Sequence, residues 1–222
     1  MNGFDDPEAV ARYAENPPRL VPGFRDLQSM TRLLLAEFAP ADGRILVVGA
    51  GGGLELKAFA QAQPDWRFVG VDPSIQMLDL ARRTLGPLMD RVELHHGYID
   101  TAPLGPFDGA SCLLTLHFVP MNERLATLKE VRRRLKPGAP LVIAHHSLPD
   151  GKERDLWLDR FAAFAADNGV SFDKARGGAR ALGDQLPILS PESEVDLLLA
   201  AGFVDPQLFY AALTFRGWVA RA

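Results

Sequence analysis

Short, nearly unbroken apolar runs in this chain alternate with stretches in which apolar residues recur every third or fourth position. The runs Ile45 to Val48, Trp66 to Val71, Arg91 to His96, Phe107 to Thr115 and Leu141 to His146 have the character of parallel strands covered on both faces. Between them, Asp26 to Phe38 places Leu27, Met30, Leu34 and Phe38 at helical spacing, and Leu54 to Ala62, Ser74 to Leu85 and Asn122 to Leu135 follow suit. Pro40, Gly43, Pro64 and Pro137-Gly138 punctuate these stretches. Lys152 to Gly183 contains two helical stretches with no strand between them. Ser190 then reads as an N-cap with Pro191 at the first helical position, and Gly202 closes a helix running to Ala201. Pro206 to Leu213 and Thr214 to Ala220 follow so closely that they pair antiparallel. Strands alternating with helices predict an α/β fold: a doubly wound, seven-stranded, mainly parallel sheet with a C-terminal antiparallel pair and a helical insertion.

Composition narrows the functional classes. With 222 residues, 47% hydrophobic and 23% charged, the chain is sized for one globular domain. A net charge of −4 gives no general attraction to polyanions, so nucleic acid is not supported as a partner. The single cysteine, Cys112, lies in an apolar run, which excludes an intramolecular disulfide and predicts a buried thiol. No stretch approaches the length of a membrane span, and the N-terminus has no basic segment leading into an apolar core. A cytoplasmic protein is expected.

The clearest chemistry sits after the first strand. Gly49, Ala50, Gly51, Gly52 and Gly53 join a strand to a helix, where absent side chains let backbone amides approach a ligand at the helix N-terminus. Asp72 ends the next strand, where a carboxylate can accept both hydroxyls of a ribose. Nicotinamide dinucleotide and S-adenosylmethionine domains share this pairing. A dinucleotide fingerprint wants a small residue at position 54, which is Leu54, and the spacing Gly49, Gly51, Gly53 favours S-adenosylmethionine.

On these residues the chain resembles the class I S-adenosylmethionine-dependent methyltransferases. Further matches are Val69 to Arg82, Phe107 to Val119, Leu135 to Ile143 and the turn Ala200 to Phe203. The resemblance implies S-adenosylmethionine as cofactor, held by Gly49, Ala50, Gly51, Gly53, Asp72, Pro73, Met77, Tyr98, Ile99, Leu114 and Thr115, and one domain over residues 1–222. Within it, 1–43 forms a helical cap, 44–147 the cofactor-binding half, 148–190 the insertion, and 191–222 the last helix and strand pair. Pro18 to Phe24 is similar, more narrowly, to the carboxy-S-adenosylmethionine synthases of tRNA modification. That likeness implies that Arg19 and Phe24 lie near the methionine end of the cofactor, and suggests a homodimer. Three positions depart from these patterns: Val47 stands where an acid is common, Tyr98 where an acid meets the adenine, and Leu197 where the synthases carry an arginine for the extra carboxylate. Without that arginine a carboxylated cofactor lacks its charge-assisted partner, so plain S-adenosylmethionine is favoured. Tyr98 can flank the adenine instead, with Ile99 covering the other side.

Methyl transfer needs an acceptor held in line and water excluded; a hydroxyl or protonated amine also needs a base. His117, after the fourth strand, and His145 and His146, ending the fifth, are the candidates. Adjacent strand residues point to opposite faces, so one of His145 and His146 is expected at the cleft and the other in packing. Arg132, Arg133, Arg134 and Lys136 read as a solvated helix end. Trp157, Phe161 and Phe164 share a helix face and are expected in the core, in a dimer contact, or in the wall of an acceptor pocket. The acceptor itself, most simply a small molecule, is carried by no motif. The rival readings are a carboxy-S-adenosylmethionine synthase, a non-catalytic cofactor-binding protein and a nicotinamide-dependent oxidoreductase.

Overall fold

The computed structural model describes residues 15–222. Residues 1–14, part of the expected N-terminal cap, lie outside the described residues. Seven strands form one sheet in the order β3-β2-β1-β4-β5-β7-β6. They are β1 (Arg44–Val48), β2 (Arg67–Asp72), β3 (Val92–His96), β4 (Gly109–Leu113), β5 (Pro140–His146), β6 (Val204–Ala212) and β7 (Phe215–Arg221). The first five are parallel, and β7 runs antiparallel between β5 and β6. The predicted doubly wound sheet with its antiparallel terminal pair is therefore the observed one.

The helices are α1 (Asn16–Leu20), α2 (Phe24–Ala36), α3 (Leu54–Ala62), α4 (Ile75–Leu85), α5 (Met121–Arg134), α6 (Lys152–Asp167), α7 (Phe172–Gln185) and α8 (Pro191–Ala200). Ser190 caps α8 by accepting the Ser193 amide at 3.2 Å, with Pro191 at its first position. α1 lies within the stretch expected as a helical cap, and Pro17 and Pro18 occupy its first turn, where a missing N–H costs nothing. β4 is shorter than Phe107 to Thr115, because Leu114 takes φ 56° and turns the chain off the sheet.

Alternation along the strands separates two apolar layers. Ile45 and Val47 pack with Leu56, Phe59 and Trp66 beneath α2 and α3, while Leu46 and Val48 pack with Leu128, Val131, Leu198 and Trp218 beneath α5 and α8. A third cluster joins Val21, Leu27 and Phe215 to Leu158, Phe161 and Ala179 of the insertion. Trp157 packs on its margin and Phe161 is buried in it, so the aromatic face of α6 serves as core. The insertion leaves and rejoins the body at one neck, where Leu148 N–H and Ser147 Oγ donate to Leu189 O at 3.1 and 3.0 Å.

The basic run at the end of α5 corrects an expectation. Arg132 and Arg133 are exposed, but Arg134 is fully buried. It donates to the carbonyls of Asp100, Ala102 and Glu130, each at 3.0 Å. The turn Ile99–Thr101 packs against α5 and presents carbonyls that only a forked donor can satisfy together.

Candidate functional site

The carboxyl ends of β2, β1 and β4 gather the glycine loop, Asp72 and Thr115. Gly49, Gly51 and Gly53 have φ of 75°, 50° and 80°, left-handed values that glycine adopts without strain. Space forbids side chains as well: a Cβ on Gly49 would lie 2.0 Å from Thr115 Oγ1, and one on Gly53 2.9 Å from Ala81 Cα. Gly49 and Ala50 donate to Val71 O at 2.8 and 3.0 Å, which ties the loop to β2. No side chain caps α3, whose N-cap Gly53 is buried. A buried, uncapped helix start leaves backbone donors for a ligand.

Asp72 is 8% exposed. Its Oδ2 accepts the Gly51 amide at 2.8 Å and its Oδ1 the Ser74 amide at 2.9 Å. Burial raises its pKa, while the two amides and nearby His96 oppose the rise. Each carboxylate oxygen accepts more than one hydrogen bond, so capacity for two hydroxyls remains. Ser74 in turn accepts the Met77 amide at 3.2 Å and caps α4. Met77 is buried and Pro73 exposed. Gly97 donates to Asp72 O at 3.0 Å, which brings the β3 end alongside; Tyr98 there is 69% exposed, and Ile99 is buried. Phe24 and Leu114 pack on the same apolar cluster. Arg19 is half-exposed, its guanidinium 4.0 Å from Glu15.

The histidines correct a second expectation, since none lies at an open cleft. His117, His145 and His146 are all buried. His145 and His146 do take opposite faces. His145 places Nε2 2.9 Å from Glu194 Oε1 and its ring beside Trp218, whereas His146 pairs Nδ1 with Thr214 Oγ1 at 2.9 Å and stacks on Phe215. The insertion and α8 close over the strand ends, which removes both side chains from solvent. His117 stands between them, its ring centre 4.9 Å from that of His146 and 6.3 Å from that of His145. His117 Nδ1 accepts the His146 amide at 3.4 Å. Burial holds His117 well below its ordinary pKa and His146 at about 3, so both are neutral at pH 7.

Sequence reasoning missed two groups. Glu55, in the first turn of α3, is 7% exposed and accepts from Ser111 Oγ of β4; burial raises its pKa to about 8. Arg124 of α5 is fully buried and joins three segments, through Val119 O and Glu194 Oε1, each at 3.2 Å, and Pro187 O. A signal existed. Glu55 precedes Phe59 by four residues, Arg124 precedes Leu128 by four, and Glu194 precedes Leu198 by four; each charge occupies the apolar phase of its helix.

A cavity of about 490 Å³ opens at the opposite edge of the sheet, bounded by Phe38, Lys136, Val204 and Arg221. Its cations are paired, Lys136 with Asp108 at 2.5 Å and Arg221 with Asp205 at 3.2 Å, and it shares no residue with the glycine loop. Among the described residues no cluster of three metal-ligating side chains occurs, and no helix is long and apolar enough to cross a membrane.

Comparison with known proteins bears on this geometry. The model of a methyltransferase domain family matches residues 45–138, from β1 through the turn after α5. Together with the relatives and solved structures that follow, this match supports the class I S-adenosylmethionine-dependent methyltransferase superfamily. The chain is similar to the carboxy-S-adenosyl-L-methionine synthase of Chromohalobacter salexigens, 27% identical over 97% of this chain and 82% of that one. It is likewise similar to that of Pseudomonas fluorescens SBW25, 27% identical over 96% of this chain and 90% of that one. Among solved structures, the pyocyanin biosynthetic protein PhzM matches with a TM-score of 0.70 at 21% identity, over 99% of this chain and 60% of that one. Human N-acetylserotonin methyltransferase in complex with S-adenosylmethionine matches with 0.64 at 14% identity, over 98% and 57%. The [4+2]-cyclase SpnF matches with 0.66 at 17%, over 89% and 80%. This chain thus spans 60% or less of the first two structures, and the third is a cyclase, so these likenesses establish the fold and not the reaction.

Proposed function

We propose that this protein transfers the methyl group of S-adenosylmethionine to a small-molecule acceptor bound between the carboxyl edge of the sheet and the cap formed by α1, α6 and α7. The observation that carries the reading is the arrangement of Asp72. Its carboxylate is fixed by the Gly51 and Ser74 amides opposite a buried, uncapped helix start. In this reading Asp72 accepts the ribose hydroxyls and Gly49, Ala50, Gly51 and Gly53 line the methionyl side. Pro73, Met77, Tyr98 and Ile99 border the adenine, and Leu114 and Thr115, with Phe24 and Arg19, border the methionine end. The cofactor supplies a methyl group made electrophilic by its sulfonium. The chain's own work is orientation and exclusion of water.

Where the acceptor is a hydroxyl or amine, His146 is the best placed of the three candidate bases. His117 Nδ1 is taken by the His146 amide, and His145 faces Glu194 on the other side of the sheet. His146 can donate Nδ1–H to Thr214 Oγ1 and keep the Nε2 lone pair. Its low pKa keeps that lone pair unprotonated at pH 7.

The second reading, carboxy-S-adenosylmethionine synthesis, is favoured by likeness along nearly the whole chain. It is opposed by Leu197, which packs part-buried against the α5 and α8 layer and offers an extra carboxylate no charge. Thermal unfolding with S-adenosylmethionine, S-adenosylhomocysteine and NAD tests the site. A ligand at 100 times its Kd stabilises by about 2.7 kcal/mol, a shift of several degrees at about 2–4 °C per kcal/mol. A shift with the two sulfur ligands, lost in Asp72→Ala, is expected; a shift with NAD alone overturns the reading. Incubation with methyl-labelled S-adenosylmethionine and a small-molecule extract then follows, with label expected in an acceptor. Appearance of a carboxylated cofactor on adding prephenate instead selects the synthase. Tight cofactor binding with neither product selects a non-catalytic binding protein.

A further inference from the structure

The acid at Glu55 is unexplained by packing. Val47 of β1 pairs in register with Ser111 of β4, and Ser111 Oγ donates to Glu55 Oε1 from α3. These three residues therefore meet at one level of the sheet, two residues below Gly49, on the face covered by α2 and α3. Ser111 Oγ is the hydrogen-bond donor to the Glu55 carboxyl among the described residues. No arginine, lysine or histidine pairs with it among the described residues. Its surroundings supply no charge. Burial and Ser111 are the influences acting on it, the Cys112 thiol of β4, which feels its charge, is itself held neutral by burial, and the buried polar residues of α2 are the uncharged Gln28 and Thr31.

Buried carboxyls are normally satisfied by a cation or by several donors. This one has neither, and it stands in the first turn of the helix that leaves the glycine loop. S-adenosylmethionine carries positive charge on its sulfonium and its ammonium. Asp72, the other acid beside the loop, already has both oxygens on backbone amides.

We propose that Glu55 is the counter-charge for the cationic end of S-adenosylmethionine, and that cofactor binding drives the Glu55 proton into solvent. The inference rests on the cofactor site proposed above. The exchange balances: a neutral carboxylic acid loses H⁺ to water, and the carboxylate left behind faces the ligand's cation. A cation brought beside a buried acid favours its ionised form, so the acid is protonated in the free protein at pH 7 and ionised in the complex. No charge on another element does this in the free protein.

The test is isothermal titration of the full chain with S-adenosylmethionine, and separately with S-adenosylhomocysteine, at pH 7.0 in phosphate, Hepes and Tris. The dependence of heat on buffer ionisation enthalpy counts the protons exchanged. Wild type is expected to release close to one proton more per ligand than Glu55→Gln, which retains the shape and the Ser111 bond. Excess release with both ligands assigns the ammonium as the partner, and release with S-adenosylmethionine alone assigns the sulfonium. Binding with equal proton counts in wild type and Glu55→Gln overturns this inference and leaves the cofactor site standing. Absence of binding by wild type overturns both.

Discussion

Glu55 makes folding depend on pH in an unusual direction. Its pKa is about 8 in the folded chain against an ordinary 4.5, so between those values the folded state holds a proton that the unfolded state has lost. Stability is then fully present below pH 4.5 and falls as pH rises, by about 1.4 kcal/mol per pH unit for one proton. Across the 3.5 units between the two values the loss sums to about 5 kcal/mol. Glu55→Gln removes the ionisation and keeps the volume and the Ser111 contact. The perturbation therefore leaves the two proteins alike near pH 4.5 and makes the glutamine variant more stable by about 3 kcal/mol at pH 7. Urea unfolding followed by far-ultraviolet circular dichroism, from pH 5 to 8.5, measures the difference, and subtracting the two curves cancels every other titrating group. Curves that stay parallel, or a wild type that gains on the variant as pH rises, would refute the claim that Glu55 is buried as a neutral acid.

His146 acts in the opposite sense. With its pKa held at about 3 by burial, its contribution is present above pH 6.5 and lost as pH falls toward 3, so His146→Gln should flatten the acid limb of the unfolding curve. Gly49→Ala is expected to cost about 1–3 kcal/mol, since the new Cβ would lie 2.0 Å from Thr115 Oγ1 at φ 75°. Adding Thr115→Ala should recover part of that in chemical denaturation, leaving the backbone strain. Arg124→Met leaves Glu194 buried with only the His145 ring beside its carboxylate and should cost about 3–5 kcal/mol, whereas Arg124→Met with Glu194→Leu should cost less; equal losses would show that the pair is not coupled.

The sheet, the glycine turn and the strand-end position of Asp72 were legible in the sequence for local reasons. Ile45 to Val48 has a period no surface strand would show, and Gly49, Gly51 and Gly53 mark a backbone that no other residue could follow. Asp72 was found by its place at a strand end. The unread features are those whose meaning depends on a distant partner. Arg134 in isolation is one more cation at a helix C-terminus, and becomes a buried clamp only because the carbonyls of Asp100 and Ala102, more than thirty residues earlier, are brought within 3.0 Å. One of His145 and His146 was expected at the cleft, and both are instead buried against Glu194, Thr214 and Phe215, all delivered by elements beyond the insertion.

The same distinction separates the two ends of the proposed reaction. The cofactor end is built from one continuous stretch, β1 to β4, where motif, turn chemistry and contact coincide. The acceptor end is assembled from α1, the 148–190 insertion and the β6–β7 hairpin, and its residues converge only through the fold. The neck at Ser147, Leu148 and Leu189 and the Arg124 bonds to Val119, Pro187 and Glu194 fix the exit of the insertion to the turn carrying His117. In the proposed reaction, movement that admits an acceptor would therefore fall to the far ends of α6 and α7 and to the contact of α6 with α1. Substitutions there should change which acceptor is used while leaving cofactor affinity unchanged, and substitutions at Asp72 should do the reverse.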